Sequence, residues 1–385
     1  MSQYFSSDFT LGILGGGQLG KMLLSETQKW DIKTHVLDPS NEAPSRFGCH
    51  LFTQGSLMDY DTVVNFGKDL DMVTIEIEGV NTDALETLEK MGVTTYPKAQ
   101  TLRCIQDKGL QKTFYKNHQI PTSDFDLYDS KSALLSAYGN GGVRFPRVWK
   151  STMGGYDGNG VKVIRNDADL EGLPEGPCLM EDLVPFSMEL AVIVARSPSG
   201  AVASYPVVEM EFHPEANQVE YVICPARISQ ELALKAQNIA QTVTAALDHV
   251  GLLAVELFVT PENDILVNEV APRPHNSGHY SIEASNTNQF EMHLRAIMDL
   301  PLGNTNSKVG GVMVNLVGSE GHQGPVVYKN MEAILAMPGV TPHIYGKSTT
   351  RPFRKMGHVT IVDPDIDEAR RVAETVKKTI QVISK

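Results

Sequence analysis

Two carboxylates stand inside apolar segments that flank a short turn. Residues 254–259 and 265–270 have the composition of strands, and the turn-rich residues between them predict an antiparallel hairpin. Glu256 and Glu269 lie in these strands, where burial of a charge is costly unless a cation pairs with it. With Asn268 beside them, they form an all-oxygen ligand set suited to Mg²⁺ shared with substrate phosphates. The alternative is that one glutamate faces solvent and the other pairs with an arginine.

The segment that leaves this hairpin is dense in groups that bind anions or transfer protons. Within seven residues it contains Arg273, His275, Asn276, Ser277 and His279. A guanidinium recognises carboxylates and phosphates in a fixed fork geometry, and imidazoles exchange protons near neutral pH. The hairpin and this segment together therefore predict a site for phosphates and proton handling.

A second phosphate motif lies earlier in the chain. Lys150 ends a predicted strand over residues 145–150, a loop with four glycines follows, and residues 161–164 predict the next strand. The lysine supplies a point charge and the loop supplies backbone donors, which together form a phosphate cradle. The loop is not a Walker A motif, because no Gly-Lys-Ser/Thr follows and a strand comes next. The alternative is a glycine-rich hairpin without a ligand.

The N-terminal glycine motif supports a rival hypothesis. Residues 10–14 predict a strand, residues 15–20 read Gly-Gly-Gly-Gln-Leu-Gly, and residues 21–29 predict a helix. Asp38 ends the second predicted strand, where a dinucleotide fold would bind a ribose. A nicotinamide dehydrogenase would explain these features, but it would leave the hairpin and the later glycine loop unexplained.

Other carboxylates lie at strand ends or inside strands. Glu76 and Glu78 end a predicted strand, and ligands of open parallel sheets bind at such ends. Residues 181–184 end a strand predicted over residues 178–183, and this segment could offer backbone groups to an adenine edge. Glu189 on the next predicted strand suits a ribose hydroxyl. Solvated strand ends and a glutamate at a sheet edge are the alternatives.

A basic turn lies near the end of the chain. Four cations fall within nine residues, at Lys347, Arg351, Arg354 and Lys355. In an acidic protein such a cluster indicates a phosphate site, and a solvated basic turn is the alternative.

Composition excludes several classes of protein. The chain has 385 residues, 42% of them hydrophobic, and a formal net charge of −13, which argues against non-specific nucleic-acid binding. Its four cysteines form no CxxC pair, so free thiols in a reducing compartment are expected. There is no signal-peptide pattern and no apolar run of membrane-spanning length, and a cytoplasmic protein without membrane contact is predicted.

The helical pattern suggests where one unit ends and another begins. One long helix is predicted over residues 99–117, with a domain boundary near residues 98–121, and a terminal helix is predicted over residues 366–383. Strands and helices alternate before the boundary, which is typical of an α/β domain.

The order of these motifs resembles the ATP-grasp carboxylate–amine ligases. The matching segments read GGGQLG, QDK, GGYDGNG, NEVAPRPHNSGH and RKMGH. Within that superfamily the chain is most similar to the enzymes that carboxylate 5-aminoimidazole ribonucleotide in de novo purine biosynthesis. The resemblance implies an α/β (α+β) fold with an N-terminal open parallel sheet over 1–105 and a small C-terminal domain over 306–385. Between them it implies an ATP-grasp clamp over 106–305, with a mobile lobe about 122–190, and it also implies a homodimer.

The resemblance also implies a reaction. Bicarbonate would be joined to the exocyclic amine of 5-aminoimidazole ribonucleotide with ATP and Mg²⁺, through carboxyphosphate. The products would be N5-carboxyaminoimidazole ribonucleotide, ADP and phosphate. A ligase that uses another amine or acid, and a non-catalytic nucleotide sensor, are the remaining alternatives.

Carried onto this sequence, the family's roles fall on residues in every part of the chain. ATP would contact Lys108, Lys150, Gly155, Tyr156, Asp157, Gly158, Asn159, Gly160, Val161, Glu181, Asp182, Leu183, Val184, Glu189, His213, Asn268 and Glu269. The ribonucleotide would contact Gln18, Glu76, Tyr156, Asp157, Lys347, Arg354 and Lys355. Glu256 and Glu269 would hold Mg²⁺, and Arg273, His275, Asn276 and Lys355 would act at the reacting groups. Gly79 departs from the family pattern, which has Asn there, and the segment before His213 is one residue longer than that pattern.

Overall fold

The computed structural model describes residues 3–154, 160–213 and 218–385. In chain order the strands are β1 Thr10–Leu14, β2 Lys33–Asp38, β3 Leu51–Gln54, β4 Met72–Ile75, β5 Thr94–Tyr96, β6 Phe125–Tyr128, β7 Arg147–Ser151, β8 Val161–Ile164, β9 Cys178–Asp182, β10 Met188–Arg196, β11 Val202–Ser204, β12 Val208–Phe212, β13 Val219–Cys224, β14 Gly251–Val259, β15 Ile265–Ala271, β16 Gly310–Val317, β17 Gly324–Lys329, β18 Val340–Ile344, β19 Thr349–Thr350, β20 Lys355–Asp363 and β21 Gln381–Ser384. The helices are α1 Gln18–Lys29, α2 Tyr60–Gly67, α3 Thr82–Lys90, α4 Ala99–Gln106, α5 Lys108–Asn117, α6 Lys131–Gly139, α7 Gln230–Ala246, α8 Ser281–Ala284, α9 Gln289–Ile297, α10 Met331–Leu335 and α11 Ile366–Thr379.

The N-terminal part is an open parallel sheet, as the alternating strands and helices predict. Its order is β3-β2-β1-β4-β5, and every pairing is parallel. Helix α1 buries Leu19, Leu23 and Leu24 along one face, which is the spacing of an amphipathic helix. The carboxyl ends of β1 and β4 therefore meet at one edge, where Glu76 follows β4.

The central part combines two antiparallel arrangements. A small sheet, in the order β6-β9-β7-β8, carries Lys150 and Glu181 on adjacent strands. A nine-stranded sheet runs β15-β14-β10-β12-β13-β16-β20-β18, with β11 added beside β10. Helix α7, capped by the Ser229 hydroxyl, packs Ala236, Ala240 and Val243 against one face of this sheet. Helix α9 packs Met292 and Ala296 against the other face, at Ile193 and Ala254.

The C-terminal part shares the nine-stranded sheet with the centre. Strand β13 pairs with β16 from Tyr221 opposite Val314 to Cys224 opposite Gly311, and β16 pairs in turn with β20. Backbone hydrogen bonds therefore cross from the central part into the C-terminal part, which brings the basic turn to the same sheet as the acidic hairpin.

Two helices differ from the sequence prediction. The helix predicted over residues 99–117 is two helices, because Asp107 leaves the helical conformation and its carboxylate caps the N–H groups of Gly109 and Leu110. The terminal helix predicted over 366–383 ends at Thr379, and β21 follows it to pair with β17. In the described ranges, no helix is long and apolar enough to cross a membrane.

His249 is fully buried and makes the stability of the fold depend on pH. Its Nε2 donates to the Leu252 carbonyl oxygen at 2.8 Å, and burial lowers its pKa to about 4. The pKa of His249 is lower in the folded than in the unfolded chain. The contribution of the neutral imidazole to the unfolding free energy is therefore full above about pH 6.5 and is lost as pH falls toward 4. Because His249 is protonated on unfolding in this range, we expect it to lower the unfolding free energy by about 2 kcal/mol between about pH 7 and pH 5.

The variant His249→Gln tests this expectation, because its amide can donate to the same carbonyl without titrating. Urea unfolding of both proteins at the two pH values should show a smaller loss in the variant. An equal loss in both proteins would contradict the assignment to His249.

Candidate active site

The acidic hairpin forms as predicted, and an irregularity in it aims three polar side chains into one cleft. Glu256 on β14 lies directly opposite Glu269 on β15, and the register shifts between Glu256 and Leu257. The shift is a β-bulge at Asn268, so Asn268 and Glu269 both face away from the core while Val267 and Val270 remain buried in it. Without the extra residue, strict alternation would turn one of these two polar side chains into the apolar layer.

The two glutamates differ in charge environment. Burial, and next the nearby Glu269, raise the pKa of Glu256. The Lys108 ammonium lies against Glu269 and lowers the pKa of that carboxyl, and the same pair raises the pKa of Lys108 against the opposing effect of burial. One cation is therefore shared by two crowded carboxylates, and a divalent cation would relieve the remaining repulsion.

The donor set fits Mg²⁺ bound together with phosphates. In the part of the chain that the structure describes, no group of three or more His, Cys, Asp or Glu is arranged to hold a metal by itself. Mg²⁺ commonly takes one or two carboxylates and completes its shell with phosphate oxygens and water. Glu256 and Glu269, paired in register, supply that number of carboxylates.

A buried cluster on the opposite wall holds Lys150, the lysine predicted to bind phosphate. Glu181 contacts Lys112 at 2.6 Å and also Lys150, and these three side chains are nearly inaccessible. Lys112 donates to Thr122 Oγ1 at 2.7 Å and Ser123 Oγ at 2.9 Å, and Lys150 donates to Asn268 Oδ1 at 3.2 Å. Burial lowers the pKa of Lys112 to about 8; burial opposes ionisation of Glu181, but Lys150 and Lys112 lower its pKa to about 2.

The Glu181 side chain therefore binds two lysines, whereas the adenine contact predicted for residues 181–184 is one through backbone groups. Sequence reasoning missed Lys112, although its position four residues after Lys108 places both on one face of α5. The remaining predicted adenine contacts lie where β9 ends: Asp182 closes the strand, and the Leu183 side chain is 38% exposed just beyond it. Val184 follows in the same irregular segment.

Replacing Glu181 with glutamine should destabilise the fold. The variant leaves two lysines in a buried cluster without their carboxylate, and we expect the unfolding free energy to fall by about 3 kcal/mol. Urea unfolding at neutral pH measures it. Glu86→Gln is the matched control, because Glu86 pairs with Lys90 and Arg103 on the surface. This variant should change stability much less, since exposed ion pairs contribute little. Equal losses in the two variants would contradict the expectation.

Glu189 and two phenylalanines line the far end of the cleft. Glu189 on β10 pairs in register with Phe258 on β14, so the two share a face with Glu256, two residues away. Phe186 stacks on Phe258 with ring centroids 4.6 Å apart and remains 44% exposed. Burial, and next Glu269, raise the pKa of Glu189 to about 7. The sequence analysis missed both rings, although the two-residue spacing from Glu256 could have indicated Phe258.

The loop after β15 meets both other parts of the molecule. Arg273 forms an ion pair with Glu78 at 2.9 Å, beyond the end of β4. His275 lies 3.4 Å from Glu256 through Nε2 and contacts Ser277 Oγ at 2.9 Å through Nδ1. The Asn276 amide exchanges two hydrogen bonds of 2.9 Å with Asn315 on β16. Asn276 is therefore held as a link to the C-terminal strands, while Arg273 and His275 border the acidic hairpin.

The N-terminal glycine turn is occupied by the protein's own carboxylates. Asp38 accepts from the Gly16 N–H at 2.7 Å, and Glu76 accepts from Gly17 at 2.9 Å and Gly20 at 3.1 Å. These are the donors that would face a pyrophosphate in a dinucleotide fold, so the structure argues against the dehydrogenase hypothesis. Burial raises the pKa of Glu76, which is only 8% exposed.

The first helix starts directly at this turn. Gln18 is the first residue of α1 and is half-buried. It lies next to Gly17, whose N–H donates to Glu76, so Gln18 and Glu76 lie at the same sheet edge.

The cations of the basic turn do not form one cluster, because they have different partners. Lys355 lies near the hairpin, since its charge opposes the rise in the pKa of Glu256 and adds to the fall in the pKa of His279. Lys347 donates to the Lys355 carbonyl oxygen at 2.8 Å, whereas Arg354 donates to the Thr349 carbonyl oxygen at 2.7 Å. Lys355 therefore borders the predicted site, while Arg354 is engaged within its own turn.

The predicted flap falls largely outside the described residues. Gly155, Tyr156, Asp157, Gly158 and Asn159 belong to the range that is not described. Gly160 adopts a positive φ of 75° and accepts from the Ser151 N–H, and Val161 opens β8 opposite Lys150. His213 follows β12, and its ring centroid lies 6.0 Å from that of Phe353 in the basic turn.

Comparisons with known families agree with this layout. A ribonucleotide synthetase preATP-grasp domain model matches residues 9–106, and an ATP-grasp domain model matches residues 113–290. A phosphoribosylaminoimidazole carboxylase C-terminal domain model matches residues 311–372. The fold and the cleft between the two antiparallel sheets thus define an ATP-grasp enzyme.

Curated proteins of similar sequence indicate the family within the ATP-grasp enzymes. An N5-carboxyaminoimidazole ribonucleotide synthase from Synechocystis is 35% identical over 97% of this chain and 97% of its own length. A phosphoribosylaminoimidazole carboxylase from Schizosaccharomyces pombe is 39% identical over 94% of this chain. The chain spans 66% of the length of that curated carboxylase.

Solved structures agree with the sequence relatives. The synthetase from Thermotoga maritima superposes with a TM-score of 0.89 at 41% identity, over 98% of this chain and 100% of its own. The enzyme from Aspergillus clavatus, in complex with ADP and 5-aminoimidazole ribonucleotide, superposes with a TM-score of 0.86 at 32% identity, over 97% of this chain and 98% of its own. The chain belongs to the N5-carboxyaminoimidazole ribonucleotide synthase family.

Proposed function

We propose that this chain carboxylates the exocyclic amine of 5-aminoimidazole ribonucleotide with bicarbonate and ATP, in de novo purine biosynthesis. The observation that carries the proposal is the meeting of the Glu256–Glu269 pair, the Lys150 wall and the Arg273–His275 loop in one cleft. This cleft holds cations for phosphates and a separate guanidinium and imidazole for a small anion. A dehydrogenase or a passive nucleotide sensor needs no such second anion site.

ATP would lie between the two antiparallel sheets. In the free chain Lys108 pairs with Glu269 and Lys150 pairs with Glu181, and both lysines would turn to the phosphates when ATP binds. Glu189 would meet the ribose, and residues 181–184 would meet adenine. Glu256 and Glu269 would hold Mg²⁺, with Asn268 beside the phosphates. Bound there, Mg²⁺ would neutralise charge on the phosphoryl group during transfer.

Bicarbonate would bind at Arg273 and His275, because it must accept the phosphoryl group beside the hairpin. The resulting mixed anhydride, carboxyphosphate, is attacked by the amine, and phosphate leaves. Lys355 and Lys347, with Gln18 and Glu76 at the N-terminal edge, border the place where the ribonucleotide would lie; Arg354 is proposed to reach its 5′-phosphate by leaving Thr349. Water must be excluded throughout, since carboxyphosphate hydrolyses readily.

Movement of one lobe would exclude water from the site. The units would be 1–105, 106–305 and 306–385, and the lobe of about 122–190, which carries Lys150 and the flap from Gly155 to Val161, would close over ATP. Tyr156 and Asp157 of the flap would touch the ribonucleotide, so that closure requires both substrates. His213 is proposed as a further ATP contact. A cytoplasmic homodimer completes the proposal, as the family resemblance implies.

The test is ADP release by the purified protein with Mg²⁺-ATP, with and without 5-aminoimidazole ribonucleotide and labelled bicarbonate. The product should be kept at alkaline pH, because N-carboxylates lose CO₂ in acid. Ribonucleotide-dependent ADP release with fixation of label supports the proposal. ATP binding without that dependence would redirect the search to another amine or acid, and absence of ATP binding would overturn the proposal.

A further inference from the structure

Gln289 holds the loop that carries Arg273 and His275 from behind. It is the first residue of α9 and is fully buried. Its Oε1 accepts from the His275 N–H at 2.9 Å, and its Nε2 donates to the His275 carbonyl oxygen at 2.8 Å. Nε2 also lies 2.9 Å from His279 Nδ1. A single side chain therefore satisfies both backbone groups of one loop residue and the ring of another.

The backbone contacts determine which way the Gln289 amide faces. An N–H group can only donate and a carbonyl oxygen can only accept, so Oε1 must face the His275 N–H. The second Nε2 hydrogen then donates to His279 Nδ1, which must be the unprotonated nitrogen of that ring. Burial lowers the pKa of His279 well below its usual value, which agrees with a neutral ring.

The loop is packed against Gln289 without spare room. A Cβ atom added to Gly278 would lie 2.3 Å from Ile193 Cδ1 and 2.4 Å from Gln289 Oε1. The Ser281 hydroxyl bridges the same region, donating to the Gly278 carbonyl oxygen at 2.6 Å and accepting from the Gln289 backbone N–H at 2.9 Å. The position of the His275 backbone is thus determined by α9, and the His275 ring reaches Glu256 from there.

We infer that Gln289 is a positioning residue that couples phosphoryl transfer to carboxylation. By fixing the His275 backbone and the His279 tautomer, it keeps the anion-binding loop in register with the metal-binding carboxylates. This inference rests on the proposed function. If the loop shifts, ATP still binds at Lys108 and Lys150, but carboxyphosphate is held poorly and water intercepts it.

The experiment compares Gln289→Ala with the intact chain in the carboxylation assay. We expect the rate of carboxylation to fall roughly 10–100-fold, because small misplacements of reacting groups carry costs of this size. The KM for ATP should change little, and ADP released per fixed bicarbonate should rise several-fold above the one-to-one ratio of a coupled reaction. Gln237→Ala is the control, since Gln237 donates one hydrogen bond to the Tyr205 carbonyl oxygen elsewhere.

A second variant separates positioning from folding. Gln289→Glu keeps the shape and the acceptor for the His275 N–H but loses both donors. A proton added to the new carboxylate or to His279 restores one hydrogen bond. The activity of Gln289→Glu relative to the intact chain should therefore rise as pH falls from about 8 to about 6. A folded Gln289→Ala with an unchanged rate and ratio overturns the inference alone. An intact chain without ribonucleotide-dependent turnover overturns the proposed function and the inference with it.

Discussion

Replacing Arg273 with alanine should slow carboxylation by about 30–10³-fold, equivalent to about 2–4 kcal/mol of transition-state stabilisation. Arg273 lies just beyond the end of β15, and its guanidinium is oriented by Glu78 at 2.9 Å. A planar cation in that position can bind bicarbonate and then stabilise the charge that develops as carboxyphosphate forms. The KM for ATP should change much less, because Lys108 and Lys150 lie at the phosphates in the proposed arrangement.

Steady-state rates of ADP release and of bicarbonate fixation measure this effect. Arg103→Ala is the control for loss of an arginine, since Arg103 pairs only with Asp83 and Glu86 at the surface among the described ion pairs. Glu78→Gln removes the orienting ion pair while keeping the guanidinium, and a smaller loss is expected. Unchanged turnover in Arg273→Ala would refute the role assigned to this residue.

Replacing Glu269 with glutamine should have an effect of similar size. The variant removes one of two paired carboxylates and leaves Lys108 without its ion-pair partner. We expect ATP turnover to fall on the order of 10²–10³-fold and the half-saturating Mg²⁺ concentration to rise, because a neutral amide is a weaker Mg²⁺ ligand. Turnover measured across a Mg²⁺ titration at saturating ATP tests both expectations.

The same hairpin offers the control for Glu269. Glu262 lies in the exposed turn between β14 and β15, so Glu262→Gln changes the net charge equally without touching the cleft. It should retain the turnover and the Mg²⁺ requirement of the intact chain. If Glu269→Gln behaved like Glu262→Gln, Glu269 would not be a metal ligand.

Local sequence patterns were sufficient to predict most of the strands that position the site. The two strands of the hairpin, the strand before Lys150 and the parallel strands of the N-terminal sheet form where alternation, apolar runs and turn residues predict them. The motif order was sufficient for the family. The turn placed Glu256 and Glu269 on neighbouring strands, but their direct opposition depends on the β-bulge, because the register that starts at Val259 and Ile265 would otherwise set Glu256 opposite Asn268. Such features depend on residues close together in the chain.

The sequence did not predict one local helix boundary and several contacts between distant segments. The helix over 99–117 is interrupted because Asp107 caps a new start. Hydrogen bonds between β13 and β16 join the C-terminal part to the central sheet, and nothing in the sequence indicated this pairing. Glu76 fills the N-terminal glycine turn, a contact across 59 residues that also removes the dinucleotide alternative.

Sequence alone therefore determined which residue types this protein brings to its chemistry, and roughly on which strands they lie. Tertiary structure decided what each of them binds in the free chain. Lys112 and Lys150 share Glu181, Lys108 pairs with Glu269, and Gln289 holds the loop of His275. The physical reason is that a charge or amide buried away from water must find a partner, and only the packed fold decides which partner lies within hydrogen-bonding distance.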